Sequence, residues 1–389
     1  MIDTIVLTLD EDSFKIVEHD KFSPSTEGLY SPTGYYRLGG RANLTCVQNP
    51  TSTELRNGIY KPRLTVTKRI DRHHQFQITL KVEFSIPKLL YGNNFDELED
   101  DDFALVISKL KQSLRDMSVI ISEPVLINAQ VSAIHFSKNI PLVDHTTPYT
   151  YLERLAKINL NQRLDLNQTD FRNEGHSLKF RANSFEVAFY DKMKDLSKAK
   201  ISEKRAEESA NAIQLNLFKE VEIRKPFEVL RLEVRLNRRQ KLRQVLKSVG
   251  IEIEPTFQAL FKRKIAQKVL LQYMTGIERS YPPILLCDCK DAKTFLSDSL
   301  ISNRRAKKIG FRKALEMLGA RVVIEEVGVR EFREIMRKYG RANWYRLNKD
   351  MATICDVSHQ QPFEPIRQCL EEFKPLKLID FQEKWCIIK

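Results

Sequence analysis

Residues 76 to 86 alternate without a break. Phe76, Ile78, Leu80, Val82, Phe84 and Ile86 fall on one side of an extended chain, and Gln77, Thr79, Lys81, Glu83 and Ser85 on the other. This two-residue period fits a strand with one face buried and one in water, and a helix would scatter the same residues around its axis. Such a strand needs neighbours. In residues 131 to 139, Ile134 and Phe136 oppose His135; in 185 to 190, Phe185, Val187 and Phe189 oppose Glu186, Ala188 and Tyr190. In residues 229 to 236, Leu230, Leu232, Val234 and Leu236 oppose Arg231, Glu233 and Arg235. Residues 4 to 9 supply a first strand, and 178 to 181 one arm of a hairpin leading to Tyr190. Sheets that keep one polar face are usually antiparallel. The expectation is an α+β chain whose antiparallel sheet carries helices on one face.

Helical spacing fills much of the rest. The acids at 99 to 102 precede Phe103, Val106, Ile107, Leu110 and Leu114, and negative charge belongs at a helix N-terminus. A second amphipathic helix is expected over 151 to 160. Residues 195 to 222, charged and free of Gly and Pro, predict a helical insertion. Residues 20 to 63 hold turn signals such as Ser31-Pro32-Thr33-Gly34 and short strands. Beyond Gly250 the chain becomes largely helical and basic. With 389 residues, two domains are expected: 1–250, and a helical accessory part over 251–389. No apolar run is long enough to span a bilayer. Scattered cysteines and an N-terminus that lacks a basic leader point to a cytoplasmic chain.

The charge is lopsided: 64 lysines and arginines stand against 51 aspartates and glutamates, a net +13. A surplus of this size favours a polyanion, nucleic acid above all. The candidate DNA contacts are Lys138, Arg231, Arg235, Arg238 and Arg239 in and after the strands, and Arg304, Arg305, Lys307, Lys308 and Arg312 further on. For the second group a solvated helix face is the plain alternative; for Glu233, between Arg231 and Arg235, it is a cross-strand ion pair.

Tyr190 turns away from the core at a strand end, with Lys192 and Lys194 just beyond. A phenol beside two ammonium groups suits attack on a phosphodiester, because cations stabilise both the phenolate and the charge that develops on phosphorus. These three are the candidate catalytic residues. Glu83, His135 and Glu233 occupy the polar sides of their strands. If the strands share a sheet, these side chains are the candidate ligands of a hard divalent cation.

Taken together, these segments resemble the replication initiators of filamentous phages, the strand-nicking proteins of rolling-circle replication. The resemblance spans nearly the whole length. It rests on the opening Met1-Ile2-Asp3-Thr4-Ile5-Val6-Leu7, on residues 82 to 94, on Ile134-His135-Phe136-Ser137-Lys138-Asn139, on Ala188-Phe189-Tyr190-Asp191-Lys192, and on residues 230 to 236. It implies a sequence-specific endonuclease that nicks one strand of a duplex origin and later reseals it. Tyr190 would be the nucleophile, Mg²⁺ or Mn²⁺ the cofactor, single-stranded and duplex DNA the partners, and a host helicase a helper. Nicking enzymes of the wider group carry a His-hydrophobic-His pair. Here only His135 is present, with Asp191 and Asn139 as the substitutes to consider. The rivals are a DNA-binding regulator that lacks cleavage, a tyrosine site-specific recombinase, which relies on an Arg/His set without obligatory metal, and an RNA-binding protein.

Overall fold

The computed structural model describes residues 1–30, 43–70, 76–142, 146–158, 176–197, 228–281, 285, 292–302, 310–354 and 362–378. The expected insertion lies outside these from residue 198 to 222, as do Arg304, Arg305, Lys307 and Lys308.

The alternating segments form one sheet. Its strands are β1 (Ile2–Asp10), β3 (Asn43–Gln48), β4 (Arg63–Ile70), β5 (Phe76–Ser85), β7 (Gln130–Pro141), β8 (Ser177–Arg181), β9 (Phe185–Asp191) and β10 (Val229–Leu236). All neighbours are antiparallel, in the order β3-β4-β5-β1-β7-β10-β9-β8. A two-stranded ribbon pairs β2 (Lys15–Ile16) with β6 (Val119–Ile120). The protein is α+β.

Register decides which residues share a face. Ile134 sits opposite Leu236 and Ile5, and Phe136 opposite Val234. Val234 in turn faces Val187, and Leu232 faces Phe189. These side chains are all buried, on the face that the helices cover. Against them lie Phe103–Asp116, Pro148–Ala156, Arg239–Ser248, Arg263–Ser280 and Glu364–Glu372, in one continuous apolar core. The helix Arg263–Ser280 shows why: Ile265, Ala266, Val269, Leu270, Met274 and Ile277 form a buried stripe at helical spacing. Full burial of one such side chain contributes about 2 kcal/mol.

Local signals act where expected. Before Phe103–Asp116 runs the short turn Asp100–Asp102, and the Asp102 carboxylate accepts the Glu99 backbone N–H at 2.7 Å. The acids therefore cap a helix. The strand β5 stops at Ser85, one residue sooner than its alternation suggests. Pro87 suits the first turn of the helix Ile86–Tyr91, and Gly92, at φ 72°, ends it in the left-handed conformation.

The expected division at Gly250 does not describe the core. Phe257, Leu270, Met274, Phe363, Ile366 and Leu370 pack into the same cluster as the sheet. A separate cluster begins later: Phe295, Met317, Ile324, Phe332, Trp344 and Leu347 join the helices Ala292–Ser302, Phe311–Tyr339 and Arg341–Ile354. Phe311–Tyr339 breaks at Gly328, where φ is 81°. Alternation and helical period report one element at a time, so they cannot say which helix returns to which sheet.

Candidate active site

The face without the main helices carries the polar residues of the same strands. His135, Ser137 and Asn139 project from β7; Arg231, Glu233 and Arg235 from β10; Glu186 and Tyr190 from β9. Register places Arg231 beside Tyr190 and Asn139, and Glu233 beside Ala188 and Ser137.

At the middle is Glu233, 2% exposed. Its Oε1 accepts the Tyr190 hydroxyl at 3.0 Å and Arg231 Nε at 3.2 Å. Its Oε2 accepts Arg235 Nε at 2.8 Å and Nη2 at 2.5 Å. Burial pushes this carboxyl up, but the two guanidiniums outweigh burial and hold it far below the usual carboxylate range. Arg231 is enclosed: Nη1 donates to Asn94 O (2.9 Å) and Asn139 Oδ1 (3.1 Å), and Nη2 to Asp3 Oδ1 (2.6 Å) and Ser137 Oγ (3.0 Å). Arg235 reaches outward as well, with Nη1 3.2 Å from Glu186 Oε1. Glu186 is also held by Arg181 at 3.0 Å and Lys179 at 3.6 Å.

Tyr190 is a neutral phenol here. Burial and the Glu233 charge raise its pKa well above the ordinary value. Below its ring stands Lys192, the first residue of the short helix Lys192–Ser197, with Nζ 5.8 Å from the ring centroid. Lys192 has no exposure, and among the described residues its ammonium has no hydrogen-bond partner; Asp195 stands 3.7 Å away, and the charges of Asp3 and Glu233 also reach it. Burial and nearby Arg231 lower its pKa to about 8.

The structure therefore brings together Tyr190, Lys192, Arg231, Glu233, Arg235 and His135. His135 bonds Asn237, and burial with the Arg235 charge lowers its pKa, which keeps the ring neutral. Four expectations change. Glu83 is exposed on the same face but on β5, three strand intervals from β10; at about 4.8 Å per interval that is near 14 Å, too far to share an ion with Glu233. Lys138 faces the helices at 1% exposure, paired with Glu97 and donating to Lys374 O at 2.7 Å, so it is a buried structural cation. Arg231, 2% exposed, is likewise closed to an incoming backbone. Lys194 turns from Tyr190 to His176, at 2.7 Å. The two substitutes stay apart from any ligand set: Asp191 is buried on the helix-covered side and accepts Lys194 N at 3.0 Å, and Asn139 holds Arg231 and Phe95 O. Arg238 and Arg239 are exposed, the latter paired with Glu254 at 2.9 Å, and Arg312 lies exposed on its helix.

A divalent cation does not fit this arrangement. Both oxygens of Glu233 and one of Asp3 already meet guanidiniums, and among the described residues no three His, Cys, Asp or Glu side chains are placed to hold an ion. Asp3, Ser137 and Glu186 took no role in the sequence reading. An acid inside an apolar first strand was the signal for Asp3; two-residue spacing from His135 and from Tyr190 was the signal for the others.

Among the described residues no helix is long and apolar enough to cross a membrane. No protein-family model, curated protein or solved structure matches the chain.

Proposed function

We propose that the chain cuts and rejoins a DNA strand by transesterification at Tyr190, the chemistry of a rolling-circle initiator. The observation that carries the reading is the Tyr190 hydroxyl donating to a buried carboxylate at 3.0 Å while a buried ammonium, without a hydrogen-bond partner among the described residues, lies against its ring. The phenol oxygen attacks phosphorus and its proton leaves along the 3.0 Å bond to Glu233, which becomes a competent base once a guanidinium lets go of the carboxylate. The bond from phosphorus to the 3′-oxygen breaks, and that oxygen takes a proton from Lys192, whose pKa near 8 suits a general acid at neutral pH. Guanidinium and ammonium stabilise the charge on the phosphoryl oxygens. The product is a phosphotyrosyl strand and a free 3′-hydroxyl; the reverse attack reseals the strand. No step passes through a metal.

The test is incubation with supercoiled DNA of its own replicon, followed by mass spectrometry of the adduct. A phosphotyrosyl peptide carrying Tyr190 and a polymerase-extendable 3′-end are expected. Tyr190→Phe is expected to bind the DNA but to lower nicking at least about 10⁴-fold. A phenylalanine variant that nicks like the parent sinks the reading. A second reading, a tyrosine recombinase, gains from the arginine-rich, histidine-containing centre; it predicts recombinant products joining two duplexes, which the same incubation scores.

A further inference from the structure

Arg235 differs from its neighbour in what it is free to do. Arg231 has its N–H groups distributed over Glu233, Asn94, Asn139, Asp3 and Ser137, and its side chain is 2% exposed. The Arg235 side chain is 28% exposed. It also directs both Nε and Nη2 at the single oxygen Oε2 of Glu233. A guanidinium edge is shaped for two oxygens side by side, as a carboxylate or a phosphodiester presents them. One donor pair on one acceptor is a poorer match.

Removing Arg235 from this position leaves neither carboxylate bare. Glu233 keeps Arg231 and the Tyr190 hydroxyl; Glu186 keeps Arg181 and Lys179. His135, Asp3, Lys192 and Asp195 also act electrostatically on Glu233 or its partners, and among the described residues none of these four is bonded to Arg235. We propose that Arg235 is an exchangeable clamp: it leaves Glu233 for the two non-bridging oxygens of an incoming nucleic-acid phosphodiester, so that docking of the backbone and release of the carboxylate are one event. The released carboxylate then faces Tyr190 with one counter-charge fewer. That consequence rests on the nicking reading; the exchange itself is a binding event.

The test is a cycle of binding measurements in the Tyr190→Phe protein, which forms no covalent adduct, with a fluorescent single-stranded oligothymidylate as probe. Glu233→Gln removes the competitor that the phosphate must displace. It is expected to tighten binding about tenfold, although it lies in the middle of the site. Arg235→Gln is expected to weaken binding and to reduce the salt slope by about one phosphate contact. In the double variant the gain from Glu233→Gln should vanish. A gain that persists without Arg235 means that the carboxylate merely repels DNA, and the exchange is wrong; so does a Glu233→Gln protein that binds no tighter. Should Glu233→Gln fail to fold, an Arg235→Gln slope equal to the parent's overturns the proposal by itself, with Arg235→Lys expected to fall between. Failure of the nicking reading looks different: no adduct from the Tyr190 protein, with the binding cycle intact.

Discussion

Lys192 is where this molecule accepts instability. A lysine with no exposure, no hydrogen-bond partner among the described residues and its nearest acid at 3.7 Å is charged at a cost. Its folded pKa of about 8 lies below the ordinary 10.5. The penalty is therefore full below pH 8 and fades as pH rises towards the unfolded value, a span worth about 3 kcal/mol. Denaturant titrations from pH 7 to 10.5 are expected to show the parent gaining stability relative to Lys192→Met, which removes the charge. At pH 7 Lys192→Met should be the more stable protein, by about 2–3 kcal/mol, and should lose DNA cleavage. Equal stability across that range in both proteins would mean that Lys192 is solvated. At this scale the sequence was informative wherever one strand tells its own story. Tyr190, Lys192 and Glu233 stood out by alternation and charge. Asp3 did not, because its meaning depends on Arg231, which the fold brings to it from 228 residues away.

Among the elements, the segment 374–378 behaves as a strap. Glu97 accepts Asn139 N at 2.5 Å and Leu376 N at 3.1 Å, and pairs with Lys138; Asp96 accepts Leu378 N at 2.7 Å. Leu376 and Leu378 cover Phe95 and Val229, next to Met193 of the helix that begins with Lys192. Burial opposes ionisation of Glu97, but Lys138 and the other charges around it outweigh this and keep it a carboxylate. Glu97→Gln leaves the Lys138 ammonium buried without its acid. A loss of about 3–5 kcal/mol is expected in chemical denaturation, together with faster hydrogen exchange at Leu376 and Leu378. Exchange at those two amides unchanged from the parent would show that the strap is held by its leucines alone. The sequence identified the strands and helices through their own periodicity. The strap has none, since it is held by side chains that reach its backbone from residues 96 and 97.

For the whole molecule, the decisive fact is that the helices Arg263–Ser280 and Glu364–Glu372 complete the core of the sheet. A fragment ending at residue 250 is expected to expose the apolar face of β7 and β10 and to aggregate or remain unfolded, as judged by near-ultraviolet circular dichroism. Within the intact chain, Leu270→Ala should cost about 2–5 kcal/mol although it lies beyond that point. A fragment with cooperative unfolding would contradict both. Composition shifts near Gly250 because strands give way to helices, and that shift is visible in sequence. Where the core ends is a matter of contacts between distant segments, which no local pattern records.

The bond from Leu376 to Glu97 joins residues 279 apart in sequence. On a ribosome emitting the chain from its first residue, the eight-stranded sheet has all its strands long before the strap emerges. Until then Lys138 and Glu97 wait with one lid missing, and the greasy side of β7 lacks its last helix. Such late-closing contacts slow folding and leave sticky intermediates open to association. The yield of native protein in a cell should accordingly respond more to chaperone supply than the finished molecule's stability would suggest.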